Sequence, residues 1–358
     1  MNPDELHNLL AKKLAQLIDE GKVDEDDACR RLQKNIPELS DGFASILYKS
    51  FGKRTRSMLR ERRREQNNFE RQHYLLWKEG LDRLETYLVV AYELGENFNG
   101  YYRSEAAKRQ DYLFDALTRL QARSVHVGSE VLCLLRSGFA DGAHARWRTA
   151  HELAVVATFL VQHGEDVAKR YLKHEAVESY KAMLQYQEYT EALSLKKVPQ
   201  EDEQHIKKSR DILIDTYGKS FGTQYGWAAD ALKKERPNFF DIEKATGMDH
   251  IRPYYKMASH NVHANPKGIQ FRLGLAKGEK LLLAGPSNYG LADPAQNIAV
   301  SILKTTTPLL GLVDNIDSIV MEKLMARYVD EIIESFVETQ QQMDEYDESL
   351  QSAQNEDD

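Results

Sequence analysis

Four side chains with acid–base or anion-binding chemistry, His144, Arg148, His151 and Glu152, crowd into the stretch AHARWRTAHELAVVATFLV. At about 100° per residue they share one helix face, whereas Arg146 points elsewhere. From Leu153 to Val161 the same stretch is almost unbroken apolar, the mark of a helix buried nearly all round. A charged stripe entering such a helix must be paired, because an unpaired buried charge costs several kcal/mol. Arg148 and Glu152 stand four apart and can pair. Two readings stay open: an internal polar site, or a buried structural ion pair.

A second chemistry-bearing stretch is YYKMASHNVHANP, 254–266. Pro253 can open a helix, and Asn265-Pro266 stops it. Tyr255, Ser259 and His263 recur every four residues, offering three hydrogen-bonding groups on one face, one of which titrates near neutrality. The working expectation is that Arg148, His151 and Glu152 meet Ser259 and His263 across a shared pocket. Arg146, Tyr255 and His260 would be contacts to a substrate.

The elements that must position these groups read as helices. Residues 126–163 form two helices joined by the Gly-punctuated turn 137–142, the connection of an antiparallel αα-hairpin. Ahead of it, Leu6, Leu9, Leu10, Leu14 and Leu17 repeat at helical spacing up to Gly21, and Pro37 interrupts before a further helix near Asp41. A long helix from Phe69 breaks at Gly95–Gly100, and the chain resumes from Ser104 into the hairpin. The sequence predicts a mostly α protein: a helical N-terminal extension over 1–66, a multi-helix bundle over 67–340, and a disordered acidic tail over 341–358. Ile269–Leu273 and Lys280–Ala284, flanking Gly274–Gly278, predict a small β-hairpin near 268–285.

Composition narrows the functions. The 358 residues carry 48 Lys and Arg against 56 Asp and Glu, a net charge of −8, which argues against generalised nucleic-acid affinity. A local exception is the basic run Lys53, Arg54, Arg56, Arg60, Arg62, Arg63 and Arg64, relieved by Glu61; it is either a solvated helix face or a contact to a phosphate backbone. No run approaches the roughly 18 apolar residues of a membrane span, and the N-terminus has no signal-peptide pattern. Cys29 and Cys133 are isolated and offer no metal or redox spacing. A cytoplasmic protein is expected. Gly218-Lys219-Ser220 ends like a phosphate-binding loop, but Leu213 occupies the place of its first glycine and no strand precedes it, which excludes that motif.

Three features resemble a bacterial all-helical family catalogued as a domain of unknown function: the small-residue hairpin turn, Arg148 followed four later by Glu152, and Ser259 followed four later by His263. The resemblance covers roughly 80–325 and implies a helical bundle. A more distant similarity is to the HEPN ribonucleases, whose Arg, four to six residues, then His is met by Arg146 and His151. It implies a metal-independent endoribonuclease of a bacterial toxin or phage-defence system, completed by two protomers, with RNA as partner and no cofactor. His151 or His263 would take the proton of a ribose 2′-hydroxyl. Arg148 or Arg146 would neutralise the phosphoryl oxygens, with Glu152 orienting Arg148. Residues five apart diverge by about 140° on an unbroken helix, so Arg148 is better placed than Arg146 to accompany His151. Two alternatives stand beside this reading. One is a non-catalytic helical scaffold with a protein partner, its polar core fixing the packing. The other is a metal-binding bundle drawing on His126, Glu130, His151, Glu152, His174, Glu178, His260 and His263.

Overall fold

The computed structural model describes residues 8, 11–12, 15–16, 18–21, 24–276, 279 and 281–356. Contacts divide the chain into two units, 1–69 and 70–358. The five leucines expected to form the opening helix lie outside the described residues. Gly21, at φ +65°, turns the chain, and α1 then runs Glu25–Leu76, its last turns from Glu70 belonging to the second unit. The break expected at Pro37 does not occur. Proline in a helix interior costs about 3 kcal/mol, but helix growth is cooperative once nucleated, and the long runs on both sides carry the helix across the defect.

The second unit is a bundle of α2 (Lys78–Arg109), α3 (Tyr112–Arg136), α4 (Ala140–His163), α12 (Ala292–Leu310) and α13 (Ile316–Glu356). Shorter helices cover one side: α5 (Glu165–Lys173), α6 (Glu175–Tyr189), α7 (Gln200–Tyr217), α8 (Ala229–Leu232), α9 (Phe239–Ala245), α10 (Arg252–Val262) and α11 (Pro266–Gln270). The hairpin α3–α4 turns at Gly138, whose φ of +75° suits glycine. Helix α4 lies against α3, α12 and α10 at once, so its apolar run Ala154–Leu160 is almost wholly buried. Trp147 is fully buried, and its indole Nε1 donates to Ser301 Oγ of α12 at 2.9 Å.

Three expectations are corrected. Helix α2 is unbroken through Gly95 and Gly100, and the true break falls at Gln110–Asp111, where Gln110 adopts φ +54° and Asp111 caps α3 by accepting from Phe114 N at 2.8 Å. Gly95 answers to packing: a Cβ there would stand 2.2 Å from Gln121 Oε1 of α3. The β-hairpin near 268–285 is absent, and no strand occurs among the described residues. Pro266 starts α11, capped by Asn265 Oδ1, and the amides of Leu273 and Gly274 then donate to the Asp141 carboxylate of α4 at 3.0 and 3.5 Å. With a side chain taking those amides, no partner strand is needed, and Leu282 is left 98% exposed. The acidic segment expected to be disordered continues α13 to Glu356. Contacts from 287–291 hold it, Tyr289 Oη donating to Asp347 Oδ2 at 2.7 Å and Gly290 N to Gln340 Oε1 at 3.3 Å.

Candidate functional site

Helix α4 presents its polar residues in three directions: Arg146 towards α3, His144 against Trp147 of its own helix, and Arg148 and Glu152 towards α10. Arg146 turns towards α3, where its guanidinium pairs with Glu130 and its Nη1 donates to Thr149 Oγ1 at 2.9 Å. Glu130 also takes His126, whose Nε2 lies 3.0 Å from Oε1. The two residues of the HEPN-type spacing, Arg146 and His151, therefore occupy separate environments, as their angular offset on an unbroken helix requires.

His144 turns into the core. It is fully buried, stacks on Trp147 with ring centroids 5.2 Å apart and planes 8° apart, and neither ring nitrogen has a hydrogen-bond partner among the described residues. Burial pushes its pKa down from 6.5 to about 4.

The third direction holds the cluster. Arg148 Nη2 donates to Tyr255 Oη of α10 at 2.7 Å, and Tyr255 Oη donates to Glu152 Oε1 at 2.6 Å. Arg148 Nε lies 3.3 Å from the same Glu152 oxygen, an ion-pair contact without hydrogen-bond alignment. The guanidinium also sits over the Tyr255 ring, 4.6 Å from its centroid. Burial, and then the hydrogen bond to the Glu152 carboxylate, raise the Tyr255 phenol well above its ordinary pKa, so it stays protonated, giving its single hydrogen to Glu152 while its oxygen accepts from Arg148. Arg148 and Glu152 keep 26% and 36% of their side chains exposed, so this triad is reachable from solvent.

His151 belongs to a neighbouring, closed network. Its Nε2 is 2.9 Å from Glu243 Oε1 of α9, and both side chains are fully buried. A carboxylate only accepts, so Nε2 carries the proton. Nδ1 has no partner. The other Glu243 oxygen pairs with Arg252 at the start of α10. Burial works to raise the Glu243 pKa, but the hydrogen bonds from His151 and Arg252 outweigh it and hold the carboxyl below its usual range. Phe239 and Tyr255 pack on the imidazole, with centroids 6.0 and 5.5 Å away.

The remaining expected site residues lie further along α10. Ser259 Oγ donates to the backbone carbonyl of Tyr255 at 2.7 Å. His260 Nδ1 is 2.6 Å from Asn265 Nδ2. His263 is exposed, at the residue that ends α10 with extended backbone. The structure thus joins Arg148 and Glu152 to Tyr255, closes His151 off with Glu243, and leaves His263 at the surface. Sequence reasoning missed Glu243 and Arg252. The capping box Asn238–Asp241 signals the helix that carries Glu243, but nothing local says that this helix faces His151. Among the described residues, no group of three or more His, Cys, Asp or Glu is gathered to hold a metal. His174, one of the ligands the metal reading needs, is 3.1 and 2.9 Å from the carbonyls of Phe221 and Thr223.

No curated protein and no solved structure matches the chain. Residues 114–280, narrower than the 80–325 of the motif resemblance, match the model of a family of unknown function (DUF5677), and the matched segment holds most of α3 and all of α4, α9 and α10.

Proposed function

We propose that the chain cleaves RNA without a metal, as a HEPN-like endoribonuclease, at the solvent-reachable edge of the Arg148–Tyr255–Glu152 cluster. The observation that carries this reading is a guanidinium held by two partners, the Tyr255 hydroxyl and the Glu152 carboxylate. A fixed guanidinium suits the charge that develops on phosphoryl oxygens in the transition state. Glu152 and Tyr255 are positioning residues for Arg148. Of the two histidines first considered as base, His151 is enclosed and engaged by Glu243, so the role falls to His263. Its imidazole accepts the 2′-hydroxyl proton, the 2′-oxygen attacks the adjacent phosphorus, and the 5′-oxygen of the next nucleotide leaves with a proton from water. The products are a 2′,3′-cyclic phosphate and a 5′-hydroxyl. By the resemblance, such an enzyme serves a bacterial toxin or phage-defence system and works as a homodimer.

The test is cleavage of a labelled single-stranded RNA by the full chain in chelator. Arg148→Gln and His263→Ala should each lower the rate by about 10²-fold or more, with unfolding midpoints close to the parent's for His263→Ala. Parent chain that leaves the RNA intact, or His263→Ala that cleaves at the parental rate, overturns the reading.

A second reading is supported by the closure of the His151–Glu243–Arg252 network. In it the whole cluster is a structural lock between α4, α9 and α10, and the chain is a helical scaffold for a protein partner. Under that reading Arg148→Gln lowers stability and no variant alters any reaction.

A further inference from the structure

The basic run of the first unit folds as the exposed middle of α1, and its geometry sorts the charges. At about 100° per residue, Lys49, Lys53, Arg56, Arg60, Arg63 and Arg64 fall within a stripe about 100° wide, and Asn67 continues it. From Lys49 to Asn67 the stripe is about 27 Å long at the α-helical rise. Of the two nearby acidic residues, Glu65 lies on the far side, where it pairs with Arg62 at 3.4 Å, and Glu61 flanks the stripe about 60° from Arg64. Every residue from Lys49 to Glu65 is exposed. None of the six cations in the stripe makes an ion pair or side-chain hydrogen bond with a described residue. Arg56, Leu59, Arg60, Arg63, Arg64, Asn67 and Asn68 line one groove of about 570 Å³.

A helix face that needs only solubility mixes signs. Here like charges stand four apart at Lys49–Lys53, Arg56–Arg60 and Arg60–Arg64, each pair destabilising an isolated helix by a few tenths of a kcal/mol. The arrangement is repaid only when an anion of matching length lies along it. Four of the six cations are arginines, whose planar forks take phosphate oxygens in pairs, and Asn67 and Asn68 add neutral donors suited to phosphate and sugar oxygens.

We propose that this stripe of α1 is a docking site for the phosphate backbone of single-stranded RNA, separate from the Arg148 cluster. The choice of RNA rests on the ribonuclease reading. The choice of a single strand rests on shape, because a flexible single backbone can straighten along a stripe about 27 Å long, whereas each backbone of a duplex winds away from a straight helix face. Contacts to phosphates rather than bases make the binding indifferent to sequence and steeply dependent on salt.

The test is fluorescence anisotropy of the full-length chain with a labelled unstructured RNA across a salt series. Arg148→Gln is used as background so that the probe survives. Six neutralised phosphates predict a log–log slope of about −4 for a single strand. Arg56→Gln/Arg60→Gln/Arg63→Gln should flatten it by about 2 and weaken binding at low salt by at least tenfold. Arg54→Gln/Arg62→Gln, on the other face, should leave it nearly unchanged. Equal losses from both sets, preference for duplex DNA, or binding to phosphatidylserine vesicles in place of RNA would overturn the proposal. Stripe-dependent RNA binding by a parent chain that cleaves nothing sustains the docking site while removing the ribonuclease. Cleavage unaffected by the triple variant, with no change in slope, does the reverse.

Discussion

At the scale of single residues, α4 keeps its polar groups by giving each a different solution. Glu243 and His151 illustrate the paired case: both are fully buried, and each removes the other's cost. Deleting one member of such a pair strands the other and costs about 3–5 kcal/mol. Glu243→Ala should therefore lose stability of that order in urea unfolding; a loss below about 1 kcal/mol would contradict a closed lock. His144 is the unpaired case. Its imidazole is neutral in both folded and unfolded chain above pH 6.5, so it adds no pH dependence there. Between 6.5 and about 4 the unfolded chain binds a proton that the folded one refuses, so stability falls as pH falls, by about 3 kcal/mol in all. Glu243, with its lowered pKa, adds a further loss only below the ordinary carboxylate range. His144→Phe keeps the stack on Trp147 and should flatten the upper part of this acid limb. An unaltered limb between pH 6.5 and 4.5 would show that another group titrates there.

At the scale of elements, the distance between helices is set by what their smallest residues allow. Gly95 lets α2 approach α3 until the Gln121 side chain covers it, and Gln121 Nε2 donates back to Ala91 O at 2.8 Å. Gln121 is 3% exposed, so its amide has little room to swing away. Gly95→Ala should cost about 1–3 kcal/mol through overpacking. In combination with Gln121→Ala the two losses should be less than additive, because the second substitution removes the obstacle to the first. Strict additivity in a double-mutant cycle would mean that the two residues do not share the contact. The glycines at 95 and 100 read from sequence as a break; the helix continues through both, and Gly95 serves close approach to Gln121, whereas Gly100 faces open space.

At the scale of the whole molecule, charge is segregated. The net charge of −8 argues against nucleic-acid affinity over the general surface, yet one stripe of α1 carries cations unmixed with acids. No helix among the described residues is long and apolar enough to cross a membrane. If both proposals hold, RNA cleavage should lose efficiency with rising salt far more steeply in the parent than in Arg56→Gln/Arg60→Gln/Arg63→Gln. Single-turnover rates at saturating RNA would stay equal between the two. Unequal saturated rates would place the stripe's arginines in the chemistry instead of in docking.

The helical class, the hairpin α3–α4 and the burial of α4 follow from local periodicity, which a single sequence displays because each turn repeats its own pattern. The common face of Arg148, His151 and Glu152 and the separate direction of Arg146 follow from the same angular arithmetic. Which partner each residue meets is a non-local matter. Glu243 lies 92 residues from His151 and Tyr255 lies 103 from Glu152, and no short-range pattern encodes contacts across such separations. The missing hairpin has the same origin: Asp141, 132 residues earlier, takes an amide that local propensity would have assigned to a strand. Sequence determines which side chains a helix offers on each face; tertiary packing decides which of them are sealed in pairs and which remain open to a ligand.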